Sequence, residues 1–217
     1  MAMPSSKEEI DQLEERGLWQ ASSFLHKKVG TAKKQNEPVR LEWIIKAHRI
    51  IFTIACAEGM AGRYRNSNGP ELVRIDDTLL PIAGWEQISS LMAQLGDDVK
   101  AYTANLRPPM TRVAYKKLVV VAARLSHRLA CIHPFENGNG RSSRLLMSAI
   151  LMRAGLPDAP VNTDKPRYLK AMRCGDDGDF SALEEIIARG VVSAKRKEFL
   201  TRDRKRAQLA IVRRKKR

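Results

Sequence analysis

The chain reads as an all-α protein carrying one small β-hairpin, and three features lead to that reading. Apolar residues recur three or four positions apart through most of the 217 residues, the period of a helix buried on one face. Only one stretch, Leu72-Val73-Arg74-Ile75 followed by Asp76-Asp77 and Thr78-Leu79-Leu80, has the run, turn and second run of a hairpin. Glycine and proline cluster between the periodic segments, as at Gly59, Gly62, Gly69 and Pro70, instead of interrupting them.

The elements follow in order. Residues 7–24 carry Ile10, Leu13, Leu18 and Trp19 at helical spacing, which predicts one or two short amphipathic helices. Residues 27–38 are polar and read as a linker. Residues 41–58 hold a dense apolar set, including Leu41, Ile44, Ile51 and Ile54, and predict a substantially buried helix. The hairpin occupies residues 71–82; two strands alone are marginal, so it must rest on the helical body. Residues 83–106 predict a helix with Trp85, Ile88, Met92 and Leu95 on one face, ended by Arg107-Pro108-Pro109. Residues 112–132 form a long helix, apolar nearly all round at its Leu118-to-Ala123 centre and therefore expected to be the central one. A helix over 141–153 stops at Gly155 and Pro157, and two more are expected near 166–172 and 180–197. The resulting organisation is an N-terminal helical extension (1–39), a main domain (40–190) and a basic C-terminal helix or tail (191–217).

A hydrophobic fraction of 43% and a charged fraction of 29% are those of an ordinary globular protein with a sizeable core. No apolar run reaches the length of a membrane span. The acidic start MAMPSSKEEIDQLEERG has no hydrophobic h-region, so no secretory signal is expected. Cys56, Cys131 and Cys174 are odd in number and lack metal or disulfide spacing, which fits a reducing, cytoplasmic setting. The net charge of +15 is concentrated between Lys195 and Arg217. Such a tail can touch nucleic acid or an acidic partner nonspecifically, although no aromatic residues interleave it as a stacking platform would need.

The chemistry is concentrated in His133-Pro134-Phe135-Glu136-Asn137-Gly138-Asn139-Gly140-Arg141-Ser142-Ser143-Arg144. Asn139 or Gly140 falls at the start of a helix, where free N–H groups and the positive dipole end attract anions. Glycines let those amides approach a phosphate closely. Arg141 and Arg144 are electrostatically wrong for a helix N-terminus by about 0.3–1 kcal/mol each, a penalty that a bound polyphosphate reverses. The stretch therefore reads as a phosphate cradle with an imidazole beside it. The doubled Asn-Gly is also a hairpin-turn signal, but both flanks are helical in period.

At these residues the chain resembles the Fic family, whose signature is His-x-Phe-x-(Asp/Glu)-Gly-Asn-Gly-Arg-x-x-Arg. Asn137 is the one departure, standing where the family has an acidic residue. Gly62-Arg63-Tyr64-Arg65-Asn66-Ser67-Asn68 is similar to the stretch leading into the family's substrate-docking flap. The resemblance covers about residues 40–190 and implies a Fic-type helical bundle with a β-hairpin flap.

It further implies transfer of AMP from ATP to a Ser, Thr or Tyr hydroxyl of a target protein. His133 would be the general base. Gly138, Asn139 and Gly140 would offer backbone amides, and Asn139 its side-chain amide, to the phosphates; Arg141 would meet a non-bridging oxygen and Arg144 the terminal phosphate. Phe135 would anchor the loop in the core. The strand Leu72, Val73, Arg74, Ile75 would register the target by strand addition. Tyr168 would pack in the core or line the base pocket. Asn137 occupies the Mg²⁺-binding position, where a neutral amide oxygen predicts weakened metal use.

Many family members are restrained by a helix bearing Ser/Thr-x-x-x-Glu-Gly/Asn, whose glutamate pairs with the second motif arginine. Ser5 with Glu9 and Ser181 with Glu185 have the spacing, but Ile10 and Ile186 follow them. A separate small antitoxin-like inhibitor is therefore the expectation. The alternatives are another transfer on the same scaffold (UMP, GMP, phosphocholine or phosphate), a nucleotide-binding adaptor, and a nucleic-acid-binding protein. The phosphotransferase branch carries lysine where Gly140 stands, so this chain leans away from it.

Overall fold

In a computed structural model the described residues are 6–67, 82–108, 110–158 and 164–215, with side chains through 204. Every regular element among them is helical. The hairpin expected over 71–82, with Leu72, Val73, Arg74 and Ile75, lies outside the described residues apart from Ile82.

The first helix, α1, runs without a break over Lys7–Gln35. The Ser6 hydroxyl caps it by accepting from the Glu9 N–H, and Asn36, in the left-handed conformation, closes it. The linker expected over 27–38 is thus helical as far as Gln35. Its lysines face outward, while Leu25, Val29 and Ala32 continue the buried stripe of Gly17 and Ala21. Composition had masked that periodicity. Trp19, by contrast, is 74% exposed and not part of the packing face.

Helix α2 (Leu41–Ile54) packs along α1 and buries Ile44, Ala47, His48, Ile51 and Phe52. The two helices approach closely at Gly17, where an added Cβ would lie 2.8 Å from the Ile51 backbone. A single turn of 3₁₀ helix (Trp85–Gln87) leads into α3 (Ile88–Ala104), whose buried face is Ile88, Met92, Leu95 and Val99. Trp85 is 40% exposed and lies off that face.

Thr111 caps α4 (Arg112–Ile132), which is followed by α5 (Asn139–Arg153), α6 (Lys165–Asp176) and α7 (Ser181–Lys215). Helix α5 is the most completely enclosed element, and α4, packed on α3, α5, α6 and α7, shares the centre with it. Leu145, Leu146, Met147, Ala149, Ile150 and Leu151 are all buried, and α5 touches α1, α2, α3 and α4. Truncating Leu146 or Ile150 to alanine would cost about 2–5 kcal/mol. This core fixes the N-terminus of α5 and the loop that enters it. No described helix is long and apolar enough to cross a membrane.

Candidate active site

Residues 133–138 connect α4 to α5, and their shape is set from below. Phe135 is fully buried and stacks on the His48 ring with centroids 3.8 Å apart. That burial stabilises by about 2–3 kcal/mol and holds the loop's midpoint in the core, as expected from the sequence. The His48 Nδ1 accepts from the Gly62 N–H at 2.9 Å, so its proton is on Nε2, which donates to the Asn137 carbonyl at 2.9 Å. Burial pushes this imidazole down to about 4, so it stays neutral. Gly138 has φ +79°, and a Cβ there would meet the Phe52 ring at 2.5 Å. Only glycine fits this approach.

His133 ends α4 in the left-handed conformation, φ 51°, and its N–H still bonds to the Leu129 carbonyl. The ring Nδ1 lies 3.3 Å from the Ala130 carbonyl, which can only accept. The proton is therefore on Nδ1, and the Nε2 lone pair is left for chemistry. Burial first, and the Arg65 charge as a smaller cause, hold this imidazole below its ordinary value despite the opposing pull of the Ala130 bond. It is neutral at neutral pH, the form a base requires.

At the other end of the loop α5 begins. Its first i→i−4 bond is Ser142 N–H to Gly138 carbonyl, 2.9 Å, so the Asn139, Gly140 and Arg141 amides precede the helical ladder. A Cβ on Gly140 would meet Arg144 Nη1 only at 3.4 Å, leaving that end open. The Asn139 side chain differs from expectation. Its oxygen accepts from the Phe135 N–H at 2.9 Å and its amide donates to the Phe135 carbonyl at 2.7 Å. It closes the loop, and only its backbone N–H faces the helix end. Asn137 Oδ1 accepts from the Gly138 N–H at 2.7 Å and from Arg141 at 3.5 Å.

The two motif arginines are held differently. Arg141 makes a two-pronged ion pair with Glu14 of α1, 2.5 Å and 3.3 Å, and lies 5.0 Å over the Phe52 ring. Arg144 lies 5.8 Å over the ring of Tyr168. Tyr168 is buried, its hydroxyl bonded to the Ser143 and Arg144 side chains, and burial raises its pKa.

Glu14 and His48 are not among the residues that the sequence singles out, and Arg65 enters there only as part of the Gly62-to-Asn68 stretch. Glu14 sits on the buried stripe of α1, three residues before Gly17 and seven before Ala21; an acid on such a stripe needs a cation, which was the available signal. His48 gave none beyond its place in an apolar helix. Arg65 donates to the His133 carbonyl at 2.8 Å, to Ser67 at 2.9 Å and to the Ala83 carbonyl. Its own N–H bonds to Pro134 and the Ala83 N–H bonds to Cys131. Arg65 is thereby fastened to the loop that carries His133, and Ala83 to the last turn of α4 and to Arg65.

Among the described residues, a helical body ends one helix on an imidazole and starts the next on an open amide turn flanked by two arginines. The Fic/DOC family model matches residues 38–151, just over half of the chain. The chain belongs to the Fic/DOC family. It is 30% identical over 191 residues to the protein adenylyltransferase Fic of Nematostella vectensis, covering 87% of this chain and 40% of that protein. It thus spans less than half the length of that relative. Among solved structures it is similar to Fic-1 of C. elegans (TM-score 0.68, 23% identity, 94% of this chain and 55% of that one). It is also similar to the Bartonella tribocorum BepC protein, solved with bound AMPPNP (TM-score 0.52, 18% identity, 80% of this chain and 85% of that one).

Proposed function

We propose that this chain is a protein adenylyltransferase, moving AMP from ATP to a hydroxyl side chain of a target protein. The observation that carries the reading is the tautomer of His133: Nδ1 is committed to the Ala130 carbonyl, so Nε2 can accept a proton. In the proposed step Nε2 takes the proton of the target hydroxyl as its oxygen bonds to the α-phosphorus. The bond to the oxygen bridging the α- and β-phosphates breaks, and pyrophosphate leaves with that electron pair. The amides of Asn139, Gly140 and Arg141 and the guanidinium groups of Arg141 and Arg144 receive the phosphate charge. The name of the Nematostella relative and the AMPPNP bound to BepC support the nucleotide.

Mg²⁺ fits this loop only weakly. Asn137 Oδ1 is a neutral oxygen already shared by Gly138 and Arg141. A bound Mg²⁺ would neutralise phosphate charge while taking most of its ligands from phosphate and water. The docking flap at Leu72, Val73, Arg74 and Ile75 is part of the proposal, supported by the Arg65 anchorage of its flanks. Restraint we assign to Glu14, which holds Arg141 where phosphate would bind; an antitoxin-like partner would act in addition to it.

The test uses ATP labelled at the α- or the γ-phosphate, with the wild-type chain and His133→Ala. Label from the α-position alone on protein, lost in the variant, is expected. Transfer of γ-label would overturn the reading in favour of phosphotransfer.

A further inference from the structure

A second cluster of reactive side chains lies where α4 meets α6, and the nucleotide chemistry does not use it. His127 is buried, with Nε2 2.9 Å from the Met172 carbonyl oxygen and 3.0 Å from Asp176 Oδ1. Cys131, one turn further along α4, brings Sγ to 3.7 Å from Nε2 and 3.7 Å from the same carboxylate oxygen. We infer that His127, Cys131 and Asp176 form a binding site for a divalent transition-metal ion, with zinc the best fit.

The geometry favours a cation over a reactive thiol. Nε2, Oδ1 and Sγ form a triangle with edges of 3.0, 3.7 and 3.7 Å. An ion on the axis through its centre lies about 2.0–2.3 Å from all three, the span of Zn–O, Zn–N and Zn–S bonds. Sγ is almost equidistant from the two ring nitrogens, 3.6 and 3.7 Å, and so does not lie along the Nδ1 lone pair as a nucleophile–base pair requires.

The ring is also held in place. Phe180 meets it edge-on at 5.2 Å, and Gly175 lets the α6 backbone pass so close that a Cβ would lie 2.8 Å from His127 Cδ2. Such packing fixes a metal ligand's orientation before the metal arrives. Helix α6 ends at Asp176, so its negative dipole end adds to the attraction for a cation. An imidazole, a thiolate and one carboxylate suit zinc, whereas Mg²⁺ and Ca²⁺ want oxygen alone. The ion would displace the Nε2 proton and the thiol proton, leaving its fourth position for water. Cys131 is half-buried and Asp176 lies at the surface, so an ion can enter the folded protein. It would brace α4 two residues before His133.

The test adds cobalt(II) alone, and zinc alone, to the metal-free full chain. Cobalt bound through Cys131 gives a sulfur-to-metal charge-transfer band that saturates at one equivalent and is abolished by zinc, and zinc raises Tm. Cys131→Ser is expected to lose the band and the Tm shift while keeping its helical circular dichroism. Asp176→Asn should weaken zinc binding by about tenfold or more, and Cys56→Ser and Cys174→Ser should leave it unchanged. No saturable band in the wild-type chain, or a band that survives Cys131→Ser, overturns the proposal.

Discussion

His48 and His133 lie within one small region, are both desolvated, and both have their pKa lowered chiefly by burial. They are nevertheless bonded differently, and the difference is one nitrogen. His48 spends both: Nδ1 on the Gly62 amide and Nε2 on the Asn137 carbonyl. Among the described residues, His133 spends only Nδ1, on Ala130. A buried histidine with both nitrogens satisfied is a cross-brace, and one with a nitrogen to spare can move a proton. A shifted pKa alone does not separate the two.

Alanine at each position gives the largest effect and the sharpest separation. His133→Ala should lower kcat by about 10²–10⁴-fold, the usual worth of a general base, with Tm nearly unchanged. His48→Ala should destabilise the fold by about 2–4 kcal/mol, because the Gly62 amide and the Asn137 carbonyl lose their buried partner. Its activity should fall with the loop's order. Thermal unfolding and initial rates on both variants check this; a His48→Ala chain with wild-type Tm breaks the comparison.

The same contrast appears in pH. His48 titrates near 4 when folded and near the ordinary 6.5 when unfolded. The unfolded chain therefore binds the extra proton first as pH falls. The His48 contribution, about 3 kcal/mol in total, is present above pH 6.5 and lost between 6.5 and about 4. Denaturant melts across that window should show the loss in the wild-type chain and a flatter profile in His48→Ala. For His133 the readout is kcat/KM, whose acid limb should lie below the ordinary imidazole range because burial depresses its pKa. An acid limb at or above that range would remove His133 as the base.

Asn137 sharpens the loop's charge balance. Asn137→Asp adds a full charge beside Arg141 and should lower the Mg²⁺ concentration needed for half-maximal rate by about tenfold, near 1.4 kcal/mol. An unchanged metal requirement would show that Asn137 does not face the ion.

Much of this was legible in the chain itself, and the exceptions have physical causes. The order of helices, the cradle at Gly138 to Arg141 and the anchoring of Phe135 follow from periodicity and motif. The supposed linker at 27–38 failed because lysines outnumber the apolar residues, while helix burial needs only every third or fourth position, here Leu25, Val29 and Ala32. Helix α4 reads as central from its dense Leu118-to-Ala123 run, whereas the serines of α5 conceal how completely that helix is enclosed. The inward turn of the Asn139 side chain is a tertiary choice that no spacing encodes. Glu14 matches no fixed motif; its physical signal is an acid on a buried stripe.

Glu14 tests the smallest and most specific difference, that between the two motif arginines. Arg141 is paired across the fold with a carboxylate, whereas Arg144 rests on the ring of Tyr168. The Glu14–Arg141 side chains are 19% and 18% exposed, so the pair is screened only in part and its worth is about 1 kcal/mol. On the function proposed above, nucleotide would have to displace Glu14 to reach Arg141, and the proton transfer at His133 would be unaffected. Glu14→Ala should therefore lower the apparent KM for ATP by about fivefold, the equivalent of that energy, with kcat held. A KM that rises instead would mean that the carboxylate aims Arg141 at the phosphate, making Glu14 a positioning residue and not a restraint.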